Sequence, residues 1–312
     1  MATLTPMAGP VIVDQPAVGN IRYGLFTAAN GPLDLPAHGA IGGVTYVQEH
    51  CGQGHLLAAA SCTGATIPPG MDGCDAQAVG LPFQVQAGIK LGAVAYDAAE
   101  VKRRARIRIN DNAQFVAEQA FWGGNADVQP VLQRTEFNGN TNTANAGILD
   151  VTPTPGTAVT IEYGVGLLED ALAQYSYPGV LHARPLVTPY LVERQMMPLP
   201  QRSGNGLTGK QYTPMGNVWS FGRGYANAHP VTGVAAGAGT AYIAATGAVT
   251  VWRDPQVYVN PPEKEFDRSG NAWQTTAFQA YATTVDCVAF FVLVELDSMT
   301  RGTGTTVTGT LY

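Results

Sequence analysis

The hydrophobic pattern divides the chain into stretches of different period. Residues 1–40 carry only scattered apolar positions among Pro, Gly and Ala, as in VIVDQPAVGNIRYGLF, and read as an extended arm lying on another surface. From residue 41 the pattern alternates. GGVTYVQEH sets Val44 and Tyr46 on one side, and LPFQVQAGIKL (81–91) does the same with Phe83, Val85 and Ala87, the two-residue period of a strand. About thirty residues with the breaker cluster IPPGMDG separate the two runs, so they predict the arms of an extended hairpin. Irregular loops beyond about 12–15 residues in compact domains are usually interaction elements.

A long helix is predicted over residues 97–122. Asp97 is its N-cap, Glu100 stands three positions on as in a capping box, and Gly123-Gly124 ends it, with no Pro or Gly between. At about 1.5 Å per residue this is a rod of roughly 38 Å. Its apolar stripe is thin: Val101, Ala105, Ile109 or Arg108, Asn112, Phe115 or Val116, and Gln119 or Ala120. Packing on one narrow side follows. A second helix is expected at about 157–175, with Val165, Leu168, Leu172 and Tyr175 at helical spacing and Gly164 and Gly166 implying close packing. GVLHA (179–183) reads as a strand, and RPLVTPYLVERQ as a third helix interrupted by Pro189. Strand-like runs then return in TPMGNVWSFG, TAYIAATGAVTVWR, QVYVN and AWQTTAFQAYATTVDCVAFFVLVEL. The result is an α+β chain with a middle domain between separated pieces of another.

Composition adds a requirement for partners. Only 13% of the 312 residues are charged, against about 25% in ordinary domains, while 46% are hydrophobic. A surface this poor in charge needs covering, most economically by copies of the chain itself. The formal charge of -6 argues against a dedicated nucleic-acid binder but leaves room for a local basic strip. One exists: Lys102, Arg103, Arg104, Arg106 and Arg108 are five of the chain's 17 basic residues. They can form a solvated face, pair with a neighbouring subunit, or meet packaged nucleic acid, because the Arg fork suits carboxylate and phosphate alike. No secretory signal opens the sequence, and no apolar run reaches the ~20 residues of a membrane span.

Catalytic motifs are missing where they would be recognised. No GxGxxG opens a helix, and no Walker loop, GxSxG or HExxH occurs. His182 and His229 are expected to be structural, and Asp267 and Arg268 to be turn residues with a local ion pair. Three of the four cysteines, Cys51, Cys62 and Cys74, cluster without CxxC or HxxxH spacing, so loop thiols are favoured over a metal site. Reduced thiols are the default without an export signal, and a disulfide formed after release into an oxidising medium is the other reading.

The order of arm, long hairpin, long charged helix, α/β middle and returning β segment resembles the Hong Kong 97-type capsid fold of tailed bacteriophages, shared with encapsulins. GGVTYVQEHCG, PFQVQAG with YDAAEVKRRARIRINDNAQFVAEQAFWGG, LLEDALAQYSYPGVLHARPLVTPYL, YTPMGNVW, ATGAVTVWRDPQVYV and EFDRSGNAWQTTAFQAYATTVDCVAFFVLVEL are similar to major capsid proteins of actinobacteria-infecting phages. The resemblance implies an N-arm at 1–40, an extended loop at 41–96, and a peripheral domain at 97–153 and 266–300 with spine helix 97–122. It further implies an axial domain at 154–265 and a C-terminal tail at 301–312. By the same resemblance the chain is a structural, non-catalytic subunit without cofactor. It forms hexamers and pentamers of an icosahedral virion shell around double-stranded DNA, assembled in the host bacterial cytoplasm. Expected partners are a separate scaffolding protein and a portal, with room for a decoration protein and no membrane. Some relatives lock neighbours through a Lys to Asn isopeptide bond; here the only lysines are Lys90, Lys102, Lys210 and Lys264, and Lys90 lies near the hairpin base, so no such bond is expected. The alternatives are an encapsulin-like compartment shell and an enzyme using His182 or His229.

Overall fold

The computed structural model describes residues 23–47, 77–94, 96–125, 127–134, 147–175, 178–197, 202–203, 206–207, 210–262 and 266–296. Its N-terminal part is no free arm. α1 (Leu25–Ala28) buries Leu25 and Ala28 in the first of two hydrophobic cores, and β1 (Asn30–Asp34) pairs in parallel with β13 (Val249–Arg253). The arm expected over 1–40 is therefore corrected for residues 23–34, where Leu25, Ala28 and Ala29 are buried within the same chain while Leu33 stays exposed; residues 1–22 lie outside the described residues.

The hairpin expectation is also corrected. After α2 (Gly39–Gly42), β2 (Val44–Val47) pairs antiparallel not with the 81–91 run but with β3 (Gln77–Gly80). The 81–91 run forms β4 (Pro82–Gly92), which follows β15 (Ala272–Val285) in register from Pro82↔Ala282 to Gly92↔Ala272. Pro82 at the junction carries no N–H for a ladder. Phe83, Val85 and Ile89 on one face of β4 are covered by α3 (Ala98–Trp122), which a four-residue hairpin arm could not do.

α3 follows its predicted bounds and packs Val101, Ala105, Ile109, Ala113, Ala117 and Phe121 across β4 and β15. Past Ile109 the stripe differs from the expected one. Asn112 is exposed and donates to the Arg108 carbonyl at 2.8 Å, and Ala113 and Gln114 take the buried positions. At about 100° per residue each step of four advances the buried stripe by about 40°, so the sequence Val101, Ala105, Ile109, Ala113, Ala117, Phe121 winds round the helix rather than following the straight stripe that mixed steps of three and four would give.

The first sheet holds β1, β13, β15, β4 and β14 (Tyr258–Val259). In the second, β10 (Gln211–Tyr212), β11 (Val218–Phe221), β7 (Val180–Ala183), β12 (Thr240–Thr246), β16 (Ala289–Glu295) and β5 (Leu149–Asp150) follow in that order, with β6 (Val159–Thr160) also on β16. β8 (Arg202–Ser203) and β9 (Gly206–Leu207) form a small separate pair. Both faces of the second sheet are covered. Val180, Ala244 and Phe291 join the first core, while Leu181, Ile243 and Val292 join the second, beneath α4 (Ile161–Ala173). This double burial is why AFFVLVE is an unbroken apolar run. Pro189 does not interrupt a helix: it occupies the first turn of α5 (Thr188–Glu193), where its missing N–H costs nothing, after a separate turn at Pro185–Val187.

β12 and β13 run antiparallel to β16 and β15 as one ribbon shared between the sheets, with Thr246↔Ala289 on one side of the crossover and Val249↔Val285 on the other. Two residues, Gly247 and Ala248, oppose three, Asp286 to Val288, which makes a β-bulge with Cys287 at φ 50°. A Cβ on Gly247 would collide with the Asp286 carbonyl, so the close approach requires glycine. The expected division at 265/266 consequently does not coincide with a division between sheets. Residues 249–259 belong to the first sheet and 289–295 to the second.

The two glycines of α4 have opposite surroundings. A Cβ on Gly164 would run into Val294 of β16, whereas one on Gly166 would meet no atom within 4 Å. Helix propensity favours Ala over Gly by about 1 kcal/mol at either position, and forcing an extra methyl into a packed core costs roughly 1–3 kcal/mol. Thermal melts should therefore show Gly166→Ala more stable than wild type and Gly164→Ala less stable. Equal shifts for the two variants would contradict the packing of α4 on β16.

Candidate intersubunit interface

The basic half of α3 is organised by its cap. Asp97, in extended conformation, accepts from the Glu100 backbone N–H at 2.7 Å and fixes the first turn. The Glu100 carboxylate then receives Arg103 through Nε and Nη2, both at 2.8 Å, and Arg104 Nε at 2.5 Å. These hydrogen bonds hold the Glu100 carboxyl at about 2, well below the usual carboxylate range. Arg104 also stacks over the Tyr96 ring, 4.6 Å from its centroid. Arg108 Nη1 donates to the Gly88 carbonyl of β4 at 3.0 Å. Arg106 is exposed and Lys102 half-buried. Between α3 and β4 lies a shallow groove of about 250 Å³ lined by Ile89 and Leu91, by the exposed Ile107, by Arg103, Arg104 and Arg108, and by the carboxylate of Asp111. The groove is thus an apolar channel edged by three guanidinium groups and one carboxylate, with a cationic excess.

Deeper along α3, Glu118 is buried. It accepts from Leu25 N at 3.2 Å, Gln114 Nε2 at 3.0 Å and Gly224 N at 2.9 Å, and burial raises its carboxyl above the usual value. Gly24, Gly222 and Gly224 surround it, and a Cβ on any of them would collide with Gln114, Tyr225, Glu118 or the Phe115 backbone. His182 is likewise buried, its Nδ1 3.1 Å from Tyr225 Oη and its Nε2 2.9 Å from Thr246 Oγ1. Ser220 Oγ lies 2.7 Å from the same Tyr225 hydroxyl. Burial pushes His182 down to about 3 and Tyr225 well above its usual value, so both are neutral at physiological pH. His229 Nδ1 accepts from Val231 N at 3.1 Å and Thr232 N at 3.2 Å, and its ring packs edge-on against Phe291. These are the contacts of structural histidines.

The whole architecture matches solved capsid shells. The capsid of a native GTA particle superposes with a TM-score of 0.53 over 94% of this chain and 96% of that one, at 15% identity. The capsid of the empty GTA particle gives 0.51 over 91% and 95%, again at 15% identity. The chain has the Hong Kong 97-type capsid fold. The capsid of Ralstonia phage GP4 aligns over 96% of this chain and 98% of that one at 13% identity, with a TM-score of 0.48. No protein-family model and no curated protein sequence matches.

Within this capsid fold the sequence-predicted residues divide clearly. Asp97, Glu100 and the arginines come together at the start of the long helix. Asp267 pairs with Lys90 at 2.5 Å and not with Arg268 as expected, because β4 and β15 bring Lys90 opposite Gln274, above the Asp267 turn. Cys51, Cys62 and Cys74 lie outside the described residues. Cys287, left out of the thiol cluster by its distance in sequence, is disulfide-bonded. Among the described residues no group of His, Cys, Asp or Glu could hold a metal ion, and no helix is long and apolar enough to cross a membrane.

Sequence reasoning missed Glu118, whose only signal is a carboxylate on the buried side of a helix between Ala117 and Ala120. It also missed a second mixed face, on α4. There Tyr163 and Asp170 are exposed and Glu162, Leu167 and Glu169 are half-buried. Glu162 is joined to Arg194 of the loop after α5 at 2.7 Å.

Proposed function

We propose that this chain is the major shell subunit of a tailed bacteriophage head, forming hexamers and pentamers that close around double-stranded DNA. The observation that carries the reading is the capsid fold, which extends over nearly the entire chain. The low charge supports it: exposed apolar side chains such as Ile41, Leu186 and Met215 are of the kind that neighbours cover in a closed shell. The role is structural, not catalytic, with His182 and His229 engaged in the core contacts already described. A scaffolding protein and a portal would act during assembly, and a decoration protein could bind the finished shell.

Co-expression with the scaffolding protein encoded beside it, followed by electron microscopy, should give closed icosahedral particles. Persistent monomers would overturn the reading. Shells isolated from infected or producing cells should contain DNA; a protein cargo in its place would assign a compartment shell instead. Particles boiled in detergent with reductant should run as one monomer band, because Lys90 is held by Asp267 and no isopeptide lock is expected. A covalent ladder would contradict that.

A further inference from the structure

We propose that the basic groove of α3 and β4 receives the acidic face of α4 from a neighbouring copy of the same chain. This rests on the shell-subunit reading and names the surfaces through which subunits meet. The groove's composition favours protein over nucleic acid. A phosphate backbone is met by projecting cations, whereas Ile107 is 40% exposed in the middle of the strip and Ile89 and Leu91 line the floor beneath it. Part of the arginine charge is also directed inward, by Arg103 and Arg104 to Glu100 and by Arg108 to the Gly88 carbonyl. What remains is a strip that can bury aliphatic and aromatic side chains while its rim meets carboxylates.

α4 presents that counterpart. Tyr163, Gly166 and Asp170 follow at spacings of three and four along one helix face, with Glu162, Leu167 and Glu169 alongside. Gly166 leaves the helix surface open at the centre of this face. Both surfaces mix apolar and charged groups, one cationic and one anionic, and they lie on the helices of different cores. A contact between two unlike patches of one chain is heterologous, and heterologous contacts form rings when their rotation closes. Hexamers and pentamers are such rings.

Charge exchange tests the contact. One variant carries Arg103→Glu and Arg108→Glu, a second Glu169→Arg and Asp170→Arg, and a third all four changes. Each two-site variant should lower the yield of assembled shells about tenfold or more, by like-charge repulsion across the contact, and the four-site variant should recover most of the wild-type yield. Thermal melting of each unassembled chain separates loss of assembly from loss of fold: melting close to wild type with reduced shells is the expected pattern. Wild-type yields from both two-site variants would overturn the contact, as would four-site variants that assemble no better than either parent. Normal shells that lack DNA in the first variant alone would overturn it too, and assign the strip to the genome. Failure of the wild-type chain itself to form shells would instead remove the shell-subunit reading, independently of these variants.

Discussion

Replacing Glu118 by Ala should destabilise the subunit by roughly 3–5 kcal/mol, a large share of the ~5–15 kcal/mol that holds a typical domain folded. The carboxylate is the single acceptor for Leu25 N, Gly224 N and Gln114 Nε2 and ties the entry of the chain and the 222–225 turn to the middle of α3. Its removal leaves those donors buried with no acceptor, at about 1–3 kcal/mol each, and opens a void that the surrounding glycines cannot fill. Glu118→Gln retains one oxygen for two of the donors but turns an NH₂ toward the third, so a loss of about 1–3 kcal/mol is expected. Guanidinium unfolding of the full-length chain, followed through Trp122 and Trp219, which are buried in different cores, reads both losses. An alanine variant within about 0.5 kcal/mol of wild type would show that the carboxylate ties nothing down.

The second large effect is a loss of stability in acid caused by His182. Its folded value is about 3 against an ordinary 6.5. Below pH 6.5 the unfolded chain takes up a proton at this side chain and the folded chain does not, so stability falls as pH falls, until the folded value is reached near pH 3. At ~1.4 kcal/mol per pH unit the cumulative loss is on the order of 4–5 kcal/mol. Glu118 acts in the opposite direction: its raised value means that protonation just above the ordinary carboxylate range favours the folded state. Tyr225 remains neutral throughout the window. His182→Gln keeps polar atoms near Tyr225 and Thr246 without the titration. The stability advantage of wild type over this variant should be constant above pH 7 and shrink steadily below pH 6.5. A flat difference down to pH 4 would mean that His182 is accessible to protons in the folded chain.

Much of the fold could be read directly from the amino-acid order. Asp97, Glu100, the uninterrupted run to Trp122 and Gly123 defined the long helix because capping and propensity act within a turn of the residues concerned. The alternation through 81–91 and the apolar, strand-like run AWQTTAFQAYATTVDCVAFFVLVEL marked extended segments for the same local reason, and the clustering of arginines at the start of the helix was plain. The order of these segments carried the resemblance that the superposition with capsid shells then matched.

Partner choice was decided only by tertiary structure. β4 has the period of a hairpin arm, but whether it pairs with a strand forty residues away or with β15 depends on where α3 can cover Phe83 and Val85. The bulge at Cys287 depends on the extra residue opposite Gly247, and through it one ribbon serves two sheets, which no boundary drawn along the sequence can represent. Glu118 becomes intelligible only when α1 and the 222–225 turn arrive beside it. The sequence by itself determined the bounds of the long helix and the extended conformation of the main strands, since those depend on neighbours a few residues away. Only the folded chain decided what each face meets, because that depends on groups brought together from more than a hundred residues apart.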